Sequence, residues 1–338
     1  MMAGSAVSDL LRNFSEKFDH HICPNMHGVK TVAKLFYFVD MMSAFVIHGA
    51  TLTDYFEYEF YRKRNIERAT FITIRRQRKL FLVNEPQHRL GLDDKNEMNR
   101  IYAEFLGRDW MCPSEDTLPQ FTKFCEAHPV FVVKPRFGFG GKGVYMQSVA
   151  NEDGIEGLYA RLVKEDVVVE EVIRQHPALE ALHPDSVNTV RLNTFYTDDS
   201  LDILSGAIRI GNNGAVIDNR SGGGMAASLD IATGLVSTAA VDKKSNRYIL
   251  HPLTGQQIVG LQVPFWSEIL SLIEAAYRVY PKCSYIGWDV AVTPEGPILV
   301  EANGRAQVGV QQQPDQIGKW PLYKRAMNLS AQARSEVF

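Results

Sequence analysis

The sequence predicts an α+β architecture, two α+β lobes preceded by a mainly helical region. Three observations carry that prediction: apolar positions at helical spacing before Trp110, short strand-like runs alternating with turns after Pro113, and a glycine-rich loop between two such runs. Strand-rich segments with few helices fit two mixed layers better than a doubly wound parallel sheet. At 338 residues the chain is long enough for two or three lobes. The divisions expected are 1–110 for the helical region, 111–180 for a small lobe with the glycine loop, and 181–338 for a large lobe ending in a helix.

In chain order, residues 31–48 are densely apolar and predict a packed helix. Residues 35–47 carry Asp40 and are too short to span a bilayer; a membrane-surface or partner-binding helix is the lesser alternative. Helix is expected through 56–61 into the basic run Arg62-Lys63-Arg64, whose ordinary role is a solvated face. Asp93 or Asp94 is placed to N-cap a helix holding Met98, Ile101, Tyr102 and Phe105. Strands are expected over 130–135, 144–146, 167–172, 189–196 and 202–210, with helices over 155–164 and 264–280.

Composition excludes several classes. Thirty-six basic and 39 acidic residues leave a net charge of −3, with no bias toward nucleic acid. The first residues show no signal-peptide pattern, and Cys23, Cys112, Cys125 and Cys283 form no Cys-x-x-Cys pair, so a reducing cytoplasm is the expected compartment. His20-His21-Ile22-Cys23 reads as an exposed polar loop rather than a metal cluster.

Gly138-Phe139-Gly140-Gly141-Lys142-Gly143 matches the dinucleotide pattern G-x-G-x-x-G, but a strand follows it where that fingerprint needs a helix. A Walker A loop is excluded too, because Gly143 stands where Ser or Thr would hold Mg²⁺. A glycine-rich flap between strands brings backbone N–H groups close to phosphate oxygens. Lys142 would neutralise the terminal phosphate, and Lys134, a cation inside an apolar strand, the inner ones. A hairpin loop without ligand is the plain alternative.

Residues 287–303 predict a β-hairpin around Pro294-Glu295-Gly296. A three-residue loop there sets Thr293 opposite Pro297 and, counting back, Asp289 opposite Glu301, with Asn303 on the same face. Facing carboxylates about 5 Å apart need a compensating cation or a raised pKa, and Asp, Glu and Asn oxygens suit Mg²⁺; a surface hairpin with incidental acids is the plain alternative.

In this order Lys134, the flap, Glu170-Glu171 and Asp289…Glu301-Ala302-Asn303 resemble an ATP-grasp enzyme over roughly residues 93–309. The segments Asp94-Lys95, Asn188-Thr189-Val190-Arg191 and Asp218-Asn219-Arg220-Ser221-Gly222-Gly223-Gly224 resemble its sugar-transfer-associated branch, related to teichuronopeptide and α-L-glutamate-ligase-like proteins. The resemblance implies ATP between two lobes. Lys95 and Lys134 would meet inner phosphates, Gly138, Gly140, Gly141, Lys142 and Gly143 the outer ones, and Glu170 and Glu171 adenine and ribose. Asp289, Glu301 and Asn303 would hold Mg²⁺. Arg191, Lys142 and Arg305 would act at the reacting centre, with Arg220 a further anion contact.

The helical N-terminal region and Gly304-Arg305-Ala306-Gln307 depart from better-known ligases, so the substrate does not carry over. The implied reaction joins a small-molecule or glycan-linked carboxylate to an amine through an acyl phosphate, as in polysaccharide or peptide modification. A small-molecule kinase on the same scaffold and a non-catalytic nucleotide-binding module are the alternatives. A protein kinase is excluded by the absence of His-Arg-Asp and Asp-Phe-Gly.

Overall fold

A computed structural model describes residues 2–22, 30–152, 154–197, 200–212 and 222–336. The chain divides into two compact units, residues 1–80 with 316–324 and residues 81–315 with 325–338.

The first unit holds α1 (Met2–His21), α2 (Lys30–His48), α3 (Leu52–Glu57), α4 (Asn65–Arg68) and α5 (Ile74–Phe81). Its core is largely aromatic, with Phe14, Phe18, Tyr55, Phe56, Phe60 and Phe71 packed together. A reciprocal Thr51–Asp54 capping box starts α3. The helix expected through 56–61 stops instead at Glu57; Glu59 is left-handed at φ 48°, and a single 3-10 turn follows. The cause is burial: Tyr55, Phe56, Tyr58 and Phe60 all lie inside, and one straight helix would spread them over more than half its circumference. His20 and His21 end α1 rather than forming a loop. His21 stacks on Phe56 at 5.2 Å, and burial, with His20 and Lys17 adding to it, lowers its pKa to about 4. Cys23 lies outside the described residues. No helix of the described residues is long and apolar enough to cross a membrane.

The second unit contains α6 (Pro86–Asp93), α7 (Lys95–Ile101), α8 (Ala103–Leu106), α9 (Leu118–Ala127), α10 (Ile155–Glu165), α11 (Pro177–Glu180), α12 (Trp266–Val279), α13 (Gly309–Gln312) and part of α14 (Trp320–Glu336). Asp94 is the N-cap of α7 and accepts from the Asn96 N–H at 3.0 Å. Helices α6 to α8 bring Leu92, Met98, Tyr102 and Leu106 into one core with Trp288, so they belong with the sheets and not with the helices before them.

The strands are β1 (Trp110–Met111), β2 (Val130–Pro135), β3 (Tyr145–Ser148), β4 (Val167–Glu171), β5 (Thr189–Thr197), β6 (Ser200–Ile210), β7 (Met225–Ser228), β8 (Ala240–Asp242), β9 (Arg247–Tyr248), β10 (Tyr285–Thr293) and β11 (Gly296–Asn303). They form two antiparallel sheets, ordered β1-β4-β2-β3 and β11-β10-β5-β6-β7-β8-β9. Strand alternation sorts the side chains of each sheet onto two faces. In the small sheet Phe131, Val133 and Val169 pack under α9 and α10, so Val132, Lys134 and Glu170 take the other face. In the large sheet Val190, Leu192, Ile208, Trp288 and Val290 pack with α12, which leaves Arg191, Arg209 and Asp289 opposite.

The β10–β11 hairpin corrects the expected register. Thr293 pairs with Gly296 around a two-residue turn, so Val292 faces Pro297 rather than Ile298. A bulge at Val300 then restores the offset, and Asp289 does face Glu301. A shorter turn and one extra residue cancel.

Candidate functional site

A cavity of about 570 Å³ opens in the second unit between the two sheets. Val132, Lys134 and Glu170 come from the small sheet, and Thr189, Arg209, Asp289 and Glu301 from the large one. Lys95 of α7, the flap and residues 171–175 complete the lining. Its lining combines the apolar Val132, Met146, Val172 and Ile173 with the cations Lys95, Lys134, Lys142 and Arg209. An apolar lining combined with cations suits a planar ring carrying an anionic tail.

The flap has its shape because of its glycines. Gly138, Gly140, Gly141 and Gly143 have φ of 144°, 72°, 71° and 76°, values that side-chain-bearing residues rarely adopt. Lys95 Nζ donates to the Gly138 carbonyl at 3.0 Å, and the Arg305 guanidinium lies 4.9 Å from the Phe139 ring centre. Lys142 is exposed at the flap and also lines the cavity.

Each wall carries one buried carboxylate gripped by two cations. On the small sheet Glu170 accepts from Arg108 at 2.7 Å and from Lys134 at 2.6 Å. Burial pushes Glu170 up, but Arg108 and Lys134 outweigh it and hold the carboxyl well below the ordinary range. Burial holds the Lys134 ammonium below its ordinary pKa, and Glu170, 2.6 Å away, opposes that shift without cancelling it. On the large sheet Asp289 takes Nε and Nη2 of Arg191, both at 2.6 Å, and Nη1 of Arg209 at 3.0 Å. Burial raises the Asp289 pKa, and the arginines outweigh it and leave the group below its usual value.

The structure brings ten of the expected residues to the cavity: Lys95, Lys134, Gly138, Gly140, Gly141, Lys142, Glu170, Glu171, Asp289 and Glu301. Gly143, Arg191, Asn303 and Arg305 are not among its lining residues. Arg191 lies behind, bound to Asp289, and Arg305 is paired with Asp93 at 2.8 Å. Glu170, expected beside adenine and ribose, is instead 2% exposed and holds Lys134 in place. Glu171 accepts the Asp109 N–H at 3.0 Å. Arg220 lies outside the described residues.

The Mg²⁺ trio needs a correction. With Asn303 Nδ2 at 3.4 Å as well, each Asp289 oxygen already accepts two hydrogen bonds, so Asp289, Glu301 and Asn303 do not form an open three-donor site as arranged. Among the described residues the acid and imidazole groups that converge are Asp109, His128 and Glu171, of which Asp109 is exposed and hydrogen-bonded to His128 at 2.8 Å.

Two residues of these clusters were not singled out in the sequence. Arg209 could have been, since it is a lone cation in an apolar strand, the feature that drew attention to Lys134. Arg108 offers no such signal.

The profile of the sugar-transfer associated ATP-grasp family matches residues 75–326. The chain belongs to that family. The match spans most of the second unit, the residues lining the cavity among them. No curated protein matches the sequence. Among solved structures, this ATP-grasp protein is similar to D-alanine–D-alanine ligase from Bacillus anthracis, at 16% identity and TM-score 0.45, over 78% of this chain and 77% of that one. It is also similar to N5-carboxyaminoimidazole synthetase from Staphylococcus aureus complexed with ADP, at 12% identity and TM-score 0.43, over 69% of this chain. The ATP-grasp ligase PsnB complexed with minimal precursor is 13% identical, with TM-score 0.45 over 74% of this chain. The chain spans 52% of the Staphylococcus aureus protein and 63% of PsnB.

Proposed function

We propose that this ATP-grasp protein is an ATP-dependent carboxylate–amine ligase working through an acyl phosphate. The observation that carries the reading is the convergence of Lys95, Lys134 and a flap of left-handed glycines on one cavity, opposite Arg209 on the other sheet. Adenine lies among Val132, Met146, Val172 and Ile173, with the phosphates running beneath the flap.

Lys134 and Lys95 neutralise inner phosphates, Lys142 the outermost, and flap N–H groups donate to their oxygens. A substrate carboxylate oxygen attacks the γ-phosphorus, the bond to the bridging oxygen breaks, and ADP leaves. No base is needed, since carboxylates are ionised near neutrality. An amine nitrogen then attacks the acyl carbon, inorganic phosphate departs, and the amine loses a proton. Arg209, which lines the cavity, takes the charge-stabilising place expected for Arg191, and Asp289 holds both guanidiniums in position. Arg305, paired with Asp93 and lying against Phe139, steadies the flap. Mg²⁺ supplies charge neutralisation on the nucleotide when bound, and Glu301 and Asn303 are the oxygen donors this chain offers it. We read the substrate as a glycan-linked or small-molecule carboxylate; the family's description speaks only of an association with sugar transfer.

The test is ADP release from ATP with candidate uronic and amino acids, with and without an amine, and with hydroxylamine to trap acyl phosphate as a hydroxamate. Hydroxamate formation is the expected result. Full ADP release with a phosphorylated hydroxyl product and no need for amine would make the protein a kinase. Lys134→Met should weaken ATP binding roughly ten- to a hundredfold, the worth of one charge-assisted hydrogen bond; unchanged affinity would remove the nucleotide from this cavity.

A further inference from the structure

We propose that the first unit docks on an anionic lipid bilayer through the outer face of α2, lying along the surface without crossing it. The helix turns an apolar stripe away from its own core. Val32, Leu35, Phe36, Val39, Met42 and Val46 are 78%, 64%, 68%, 59%, 40% and 67% exposed. Their spacing puts all six within one third of the helix circumference, opposite Met41 and Ala44, which are buried. Singly exposed apolar residues are ordinary; a continuous stripe of this kind marks a surface that is covered in use.

What covers it follows from charge. Asp40 is the sole carboxylate of α2, and it is withdrawn from the stripe by Arg68, at 2.8 and 2.7 Å, and by the Tyr55 hydroxyl at 2.7 Å. At the C-terminal end Arg75 donates to the Phe45 and Val46 carbonyls at 3.1 and 3.2 Å. Arg78 and Lys79, three and four residues further along α5, share its face, and all three are exposed. Residues 60–80 hold eight basic residues and one acidic residue. Residues 1–80 carry 12 basic against 8 acidic residues, net +4, whereas the remainder carries 24 against 31, net −7. An apolar stripe with a cationic flank fits a membrane whose headgroups are negative. A second copy would set these cations against their like. Because no described helix meets the length and apolarity of a span, the contact lies in the interface plane.

The full chain is sedimented with vesicles of phosphatidylcholine alone and of phosphatidylcholine mixed with phosphatidylglycerol. Binding is expected to the mixed vesicles and to fall as salt is raised. Phe36→Asp with Val39→Asp should lower binding at least roughly tenfold, since both side chains leave the acyl boundary. Arg78→Glu and Lys79→Glu should each lower it at least roughly fivefold, the share of one surface cation. Circular dichroism and ATP binding confirm that the variants fold. No binding to mixed vesicles, or equal binding by the Phe36/Val39 variant, overturns the proposal. So does a dimer in sedimentation equilibrium that Phe36→Asp dissolves, which would give the stripe to a second copy.

Discussion

The two walls of the cavity carry the same device in different settings. Glu170 is gripped by Arg108 and Lys134, Asp289 by Arg191 and Arg209, so each wall joins one carboxylate to two cations. The arginines of Asp289 come from β5 and β6, and Arg191 stands directly across from Asp289 in the ladder. Their grip is local to one sheet. Arg108 instead reaches from Glu170 of the small sheet to the carbonyls of Leu299 at 2.7 Å and Val300 at 3.3 Å, both on β11 of the large one. The comparison teaches that Asp289 depends on strand register alone, whereas Glu170, and through it Lys134, depends on the distance between two sheets.

Removing the cross-sheet member should therefore cost most. Arg108→Met leaves Glu170 with Lys134 as its one cation beside a 3.4 Å contact from Asn99, strips the β11 carbonyls, and should destabilise the protein by about 3–5 kcal/mol. Urea unfolding measures this, and a loss under about 1 kcal/mol would show that the tie between sheets is idle. Asp289→Asn keeps the shape and one acceptor, and Arg191 and Arg209 retain some contact with water at 12% and 10% exposure. The expected loss is smaller, about 1.5–3 kcal/mol. A loss larger than that of Arg108→Met would reverse the comparison.

Acid should act on both walls alike, and most gently. Glu170 and Asp289 have folded pKa values below their unfolded ones, which are about 4.3 and 3.9. Their stabilisation is complete above those values and drains as pH falls through them toward the folded pKa. Midpoints of urea unfolding should thus show no pH dependence from these groups between about pH 7 and 5, where their stabilisation is fully present, and a fall below about pH 4. Glu170→Gln should flatten that fall; an unchanged acid limb would mean that the Glu170 grip adds nothing.

How much of this was legible depends on the distance over which each feature is decided. The strand–flap–strand unit was readable because the alternation of core and cavity positions is local: Phe131 and Val133 go in, Val132 and Lys134 go out, and the flap's left-handed turns demand glycine. The facing of Asp289 and Glu301 was readable only by coincidence, since the turn is one residue shorter than expected and the bulge at Val300 makes up the difference. The break at Glu59 was not readable, because helical spacing across 55–60 is satisfied locally and only the aromatic core rejects it. The pairing of Arg191 with Asp289 joins residues 98 apart, and that of Arg108 with Leu299 residues 191 apart. No periodicity encodes such a choice.

By itself the sequence determined the two mixed layers, the glycine flap and the places of Lys134, Glu170 and Asp289 beside it, though not Arg108 or Arg209, because backbone conformation and strand alternation are settled within a few residues. Only the tertiary structure decided which cation meets which carboxylate. An ion pair in a buried wall is selected by whichever partners the packed sheets bring within about 3 Å, where the cost of leaving a charge alone is highest.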